Sequence, residues 1–327
     1  MMARIPSSPP SIKPLPQSKN RPLWSVMIPV YNCSQYLTET LEGVLRQGIP
    51  EKVMQIEVID DASTDADVAE IVERIGKGRV KYFRQSENVG SLRNFETCIN
   101  RAQGELVHIL HGDDRVLDGY YEKVGKLFQQ YPEAGAAFCR YNYIDETGKL
   151  MYPQRPEVTQ EGLLHDWLIK LAEYQRVQYV AIAVRREVYE KLGGFFGLTY
   201  GEDWEMWVRI AKYYPLAYTP EILAEYRKHE SSISGQKFIT GENLTDIIRA
   251  MELIQTHLPE SKREIIFRRS NKFYAHYGVR VANRLWHDLH NKQAVNAQIK
   301  QVLKMHKDPL LFWKIAKIRI KVLLNRA

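Results

Sequence analysis

Short apolar runs alternate with amphipathic stretches through the first 145 residues. Residues 24–30 (Trp-Ser-Val-Met-Ile-Pro-Val) are almost wholly apolar, as a strand covered on both faces must be. Leu37, Leu41, Val44 and Leu45 then recur at helical spacing, and Asn32 with Gln35 three residues on reads as a capping box for that helix. The alternation continues: residues 54–59 predict a strand, 66–75 a helix, 80–83 a strand. Leu92, Phe95 and Ile99 mark a helix, and 105–110 a fourth strand. Tyr121, Val124 and Leu127 mark a helix that Pro132 stops, and 134–141 predict a strand. Strands alternating with helices predict an α/β fold built on a mostly parallel sheet flanked by helices. Ligands of such sheets bind beyond the carboxyl ends of the strands. Three polar clusters stand at those ends: Tyr31-Asn32, Asp60-Asp61 and Asp113-Asp114.

Beyond residue 145 the alternation stops. A loop with Pro153 and Pro156 precedes a predicted helix over 163–172, a strand over 179–184, a short helix and Gly193-Gly194. A helix is predicted over 203–213, and residues 241–327 read as mostly helical. The first 22 residues hold six of the 15 prolines and no apolar stretch of the kind a signal peptide needs. They predict a disordered, polyproline-like tail. The expected organisation is therefore a tail over 1–22, a catalytic domain over 23–238 and a basic helical extension over 239–327.

Composition narrows the class. With 44% hydrophobic and 26% charged residues, the chain is an ordinary globular protein. No apolar run approaches the roughly 18 residues of a membrane-spanning helix. Cys33, Cys98 and Cys139 form no C-x-x-C, which excludes a zinc ribbon or disulfide framework and fits a reducing compartment. The net charge of +7 is uneven: residues 262–326 carry 16 Lys and Arg against three acids. That basic segment is either a solvated helical face or an attractor of anionic partners such as lipid headgroups. No nucleic-acid motif accompanies it.

There is no G-x-x-x-x-G-K-[ST] and no G-x-G-x-x-G, so a P-loop or dinucleotide cradle is missing. A divalent cation held by carboxylates is another way to bind a diphosphate, and Asp113-Asp114 could hold one. Tyr31 could stack on a base or merely pack. Asp203 could be a base or merely a helix cap.

The motifs taken together resemble family 2 glycosyltransferases. The segments are Val26-Met-Ile-Pro-Val-Tyr-Asn32, Glu57-Val-Ile-Asp-Asp-Ala-Ser-Thr-Asp65, Asn88-Val-Gly90 with Arg93-Asn94, and His111-Gly-Asp-Asp114. Gly193-Gly-Phe195, Glu202-Asp203-Trp204 and Tyr226-Arg-Lys-His229 follow in the family's order. The resemblance covers residues 24–234 and implies a GT-A-type, Rossmann-like fold and a nucleotide-sugar donor, UDP-linked by default.

Carried over by position, it makes Tyr31 the base-stacking residue and Asp61 its hydrogen-bonding partner. Pro29, Asn32, Asn88, Arg93 and Asp113 complete the donor contacts. Asp114 would ligate Mn²⁺ or Mg²⁺, with His229 assisting at the metal or diphosphate. Asp203 would be the catalytic base, ionised at neutral pH by its place at a helix start. Glu202 and Trp204 would line the acceptor or support the base. The family often has an Asp where this chain has Gly112, so metal binding would rest on fewer carboxylates. The implied reaction is an inverting transfer to a glycan or lipid-linked hydroxyl in surface polysaccharide synthesis. Its implied place is cytoplasmic, peripheral on the membrane through the basic helices. A sugar nucleotidyltransferase or a non-catalytic nucleotide- or glycan-binding module are the rival readings.

Overall fold

The structure is a computed structural model and describes residues 3–16 and 20–325. It divides into two compact units. Unit 1 comprises residues up to Trp167, Val177–Gly197 and Tyr213–Lys228. Unit 2 comprises Leu168–Arg176, Leu198–Lys212 and the chain from His229. The second unit thus takes in 168–176 and 198–212, a division different from the expected boundary at 239.

Unit 1 opens with β1 (Trp24–Val30), buried along its whole length, then α1 (Ser34–Leu45), β2 (Met54–Asp60), α2 (Val68–Gly76) and β3 (Lys81–Arg84). α3 (Ser91–Arg101), β4 (Leu106–Ile109), β5 (Arg115–Val116), α4 (Tyr120–Gln130) and β6 (Ala136–Ile144) follow. Two short strands, β7 (Leu150–Pro153) and β8 (Gly162–Leu163), lead to α5 (Trp167–Glu173), where the chain passes into unit 2. β9 (Ile182–Arg185) and α6 (Arg186–Leu192) belong to unit 1; α7 (Glu202–Tyr213) belongs almost wholly to unit 2; β10 (Leu216–Arg227) completes the sheet of unit 1.

The sheet order is β3-β2-β1-β4-β9-β6-β10-β5, with β7 beside β6 and β8 beside β10. β3, β2, β1 and β4 run parallel. β9 is antiparallel to both β4 and β6, and β10 is parallel to β6. Two reversals restore the direction, so β1, β2, β4, β6 and β10 all end on one edge. The core beneath the sheet is contiguous, with Trp24, Val26, Leu37, Leu41, Tyr120, Val124 and Leu127 buried together.

Several expectations are corrected. Cys33, not Asn32, caps α1, without a side-chain bond; Asn32 has a left-handed backbone (φ 50°) and its side chain is spent elsewhere. The strand expected over 179–184 starts as a 3-10 turn, Tyr179–Ala181. β10 had no sequence signal, because Pro220 and Glu221 break its alternation at a bulge between Tyr218 and Ile222.

The described part of the expected disordered tail is packed on unit 1. Ile12 is only 3% exposed, and the amides of Gly194 and Gly197 donate to the carbonyls of Pro10 (2.9 Å) and Pro6 (2.9 Å). A guanidinium nitrogen of Arg186 donates to the Lys13 carbonyl at 3.0 Å. Proline carbonyls accept as well as any others, and Gly193 (φ 79°) leaves room: a Cβ there would meet Pro9 Cβ at 2.8 Å.

In unit 2, α8 (Ile233–Thr240), α9 (Glu242–Gln255), α10 (Glu260–Leu289), α11 (Lys292–Met305) and α12 (Pro309–Leu323) follow α5 and α7. Leu244, Ile247, Met251 and Ile254 bury the apolar stripe of α9. Trp204 of α7 is fully buried, its ring 5.2 Å from Tyr274 of α10 and its indole N–H donating to Leu171 of α5 at 2.7 Å. These links hold α5, α7 and α10 together.

Candidate functional site

The loops after β1 and β2 are stitched to each other at the carboxyl edge of unit 1. The Asp61 amide donates to Val30 O (2.8 Å), the Asn32 amide to Ser63 Oγ (3.1 Å), and Thr64 N to Asn32 Oδ1 (2.8 Å). This bonding accounts for the left-handed Asn32, since Asn tolerates that conformation and bonds locally. Tyr31 is left 50% exposed at this edge. Pro29 is buried in β1, and its carbonyl accepts from Gly112 N (3.2 Å).

The two neighbouring acids do different work. Asp60 is buried and committed to Ser63 N, Tyr82 OH and Arg84. Asp61 is also buried; its two oxygens accept from Val89 N (2.8 Å) and Gly90 N (2.9 Å). Burial pushes the Asp61 carboxyl up, opposed by those amides and by Arg4. Asn88 donates to Asp61 O (3.2 Å) and accepts from Arg4. Arg93 bonds Glu96 (2.6 Å) and the Ala3 carbonyl (2.9 Å). The N-terminal segment therefore stands beside Asn88 and Arg93, which no pattern in the sequence announces.

The acid pair after β4 lies in a cluster of groups that could hold a metal ion. One donor atom each from His111, Asp113 and Asp114 lie within 4.8 Å of one another. Asp114 is buried; its Oδ1 accepts from Arg227 N at 2.8 Å, and its Oδ2 has no hydrogen-bond partner among the described residues. His111 Nε2 is similarly buried and unpartnered. Burial holds the His111 imidazole neutral by lowering its pKa, and burial with the adjacent Asp113 raises that of Asp114. A neutral imidazole and an orphaned carboxylate oxygen are what a divalent cation satisfies. The donor set thus fits Mn²⁺ or Mg²⁺.

His111 also explains the missing carboxylate. A Cβ on Gly112 would meet Val30 Cγ2 at 2.9 Å and Cys33 Sγ at 3.1 Å, so an aspartate there requires those side chains to shift. The imidazole, stacked on Phe95 at 5.2 Å, offers a donor atom to the cluster from the preceding position.

Arg227, quoted in the sequence motif without a role, secures this cluster from the end of β10. Besides its amide bond to Asp114, its guanidinium bonds the Asp113 carbonyl (2.8 Å) and Glu39 (2.7 Å). Thr40 donates to the Asp114 carbonyl (2.6 Å). The antiparallel pairing of β5 with β10, Glu225 against Arg115, brings these residues together.

Asp203 belongs to unit 2. Its Oδ1 accepts from Trp204 N (2.7 Å) and its Oδ2 from the Gln175 side-chain amide. Burial raises the Asp203 carboxyl to about 7. The expectation of a plain anion is corrected: desolvation outweighs the helix dipole and both hydrogen bonds. Gln175 lies in no motif and was not foreseen. Glu202 is buried beside Asp203, and Trp204 is core of unit 2. His229 lies in unit 2, with Nδ1 bonded to Ser231 Oγ at 2.7 Å.

The family profile described as glycosyl transferase family 2 matches residues 25–193. The putative teichuronic acid biosynthesis glycosyltransferase TuaG of Bacillus subtilis is 27% identical over 238 residues, 71% of this chain and 89% of TuaG. A glycosyltransferase of Haemophilus influenzae is 24% identical, covering 66% of this chain and 68% of its own. The fold is similar to that of S. aureus TarS in complex with UDP-GlcNAc (TM-score 0.62, 15% identity, 93% and 92% covered). It is also similar to the mannosyltransferase PcManGT of Pyrobaculum calidifontis in complex with GDP-Man and Mn²⁺ (TM-score 0.52, 16% identity, 99% and 91% covered).

Proposed function

The chain belongs to glycosyl transferase family 2, and from that premise we propose that it moves a sugar from a nucleoside-diphosphate donor to an acceptor hydroxyl with inversion. The observation that carries this reading is the His111, Asp113 and Asp114 cluster with its unpartnered Asp114 oxygen. A UDP-sugar is the favoured donor, supported by the UDP-GlcNAc complex of TarS. A glycan or lipid-linked acceptor in surface polysaccharide synthesis is supported by the likeness to TuaG.

Tyr31 stacks on the base, and Asp61 bonds it through lone pairs its two amide donors leave open. Pro29, Asn32, Asn88 and Arg93 shape the donor contacts. Asp113 and Asp114, with His111, would hold a divalent cation, which when bound would supply positive charge against the departing diphosphate. His229 assists at the diphosphate. The acceptor oxygen attacks the anomeric carbon as the bond to the diphosphate breaks, and the acceptor proton passes to Asp203. A carboxylate held near pH 7 is matched to that task. Glu202 modulates Asp203, and Trp204 stiffens its helix. The three cysteines are all free and buried, which supports work in a reducing, cytoplasmic setting.

Calorimetric titration of UDP, dTDP and GDP, with and without Mn²⁺, tests the donor half on wild type and Asp114→Asn. Metal-dependent binding of one nucleotide, lost in the variant, is expected. Wild type that binds none of them under either condition refutes the reading.

A further inference from the structure

α12 carries apolar side chains on two faces. Leu311, Ile315 and Ile318 are buried in unit 2. Phe312, Trp313, Ile320 and Leu324 are each half exposed or more, and Leu323 is 78% exposed. At 100° per residue, Trp313, Ile320 and Leu324 stand opposite the buried three, with Phe312 and Leu323 widening the same arc. The apolar residues of this helix thus split between core and solvent.

Cations border the outward arc on both sides. Lys317, Lys321 and Lys314 lie along one margin and Arg319 along the other. No acid occurs between residues 309 and 325. Lys317 Nζ sits 3.6 Å above the Trp313 ring, a cation at the edge of an aromatic platform. No helix among the described residues is long and apolar enough to cross a membrane.

Large apolar side chains gathered on an exposed face mark an interaction surface. The charge decides the partner. A second copy docked by the same face would bring like cations together, which opposes association. A negatively charged bilayer complements them: apolar rings enter the acyl boundary while lysines reach the headgroups. We infer that the outward face of α12 docks on an anionic lipid bilayer, the helix lying in the interface plane. The 16 Lys and Arg against three acids over 262–326 extend the attraction. This surface does not depend on the donor chemistry.

Co-flotation of the full chain with vesicles tests it, using phosphatidylcholine alone and phosphatidylcholine with phosphatidylglycerol. Wild type is expected to bind the anionic vesicles at least about tenfold more tightly than the neutral ones. Trp313→Ser with Ile320→Ser should lower that binding by about tenfold or more, with circular dichroism and melting unchanged. Lys317→Gln with Lys321→Gln should lower it about tenfold and flatten its salt dependence. Wild type that ignores anionic vesicles, or binds both kinds equally, overturns the inference. So does an apolar double variant that binds like wild type. Concentration-dependent dimerisation abolished by the apolar variant, without vesicle binding, would assign the face to a second copy instead.

Discussion

Asp203→Asn should stabilise the protein in alkaline solution while disabling it. The carboxyl is ordinarily near 3.8 and is raised to about 7 by burial. At 1.36 kcal/mol per pH unit, that displacement is about 4 kcal/mol. The sign follows from proton counts: between pH 4 and 7 the folded state binds a proton that the unfolded state has released. Stability therefore falls as pH rises through that window, and the whole penalty is present above pH 7. Asn carries no charge and escapes it. The exchange leaves the bond from Trp204 N to Oδ1 in place but sets an amide against the Gln175 amide, a loss of about 1 kcal/mol. The variant should thus be about 3 kcal/mol more stable than wild type at pH 8 and about 1 kcal/mol less stable at pH 4. Urea denaturation at the two pH values measures both. Transfer activity should fall by about 10²–10⁴, the contribution of a general base. A stability difference that does not change with pH would refute the argument that Asp203 is held in an unfavourable, buried state.

Three further changes probe the rest of the architecture. Gly112→Asp should lower stability by about 1–3 kcal/mol, because its Cβ meets Val30 and Cys33, and should not tighten Mn²⁺ binding; tighter binding measured by calorimetry would contradict the steric account. Arg227→Lys keeps the charge but cannot span the Asp113 carbonyl and Glu39, so thermal unfolding should show a loss of about 2 kcal/mol and Mn²⁺-dependent nucleotide binding should weaken. Ile12→Ala should cost about 2 kcal/mol and expose residues 3–16 to limited proteolysis, whereas a free tail would leave stability untouched.

Much of the parallel half of the sheet is legible locally. β1, β2 and β4 are short apolar runs whose ends carry polar clusters, and a window of seven residues contains all the information needed. The gathering of the polar clusters follows from that reading, because parallel strands place their carboxyl ends on one edge. β10 escapes it: Pro220 and Glu221 spoil the alternation, and pairing with β6, β5 and β8 makes the segment a strand. His111 escapes for another reason. Its place in a candidate cation cluster depends on the fold, as does the crowding at Gly112, which comes from Val30 and Cys33, some eighty residues away.

The remaining differences share this cause. Apolar periodicity, turn chemistry and motif order act over a few residues, so the strand–helix alternation and the family could be read from the chain. Which groups lose water depends on which distant segments meet. Burial turns Asp203 from an expected anion into a carboxyl near pH 7, orphans one oxygen of Asp114 and fastens the proline-rich segment to unit 1. The same holds for α12, where one set of apolar residues finds a core and the other is left facing solvent. Desolvation and close packing are long-range outcomes of the fold, and no local pattern records them.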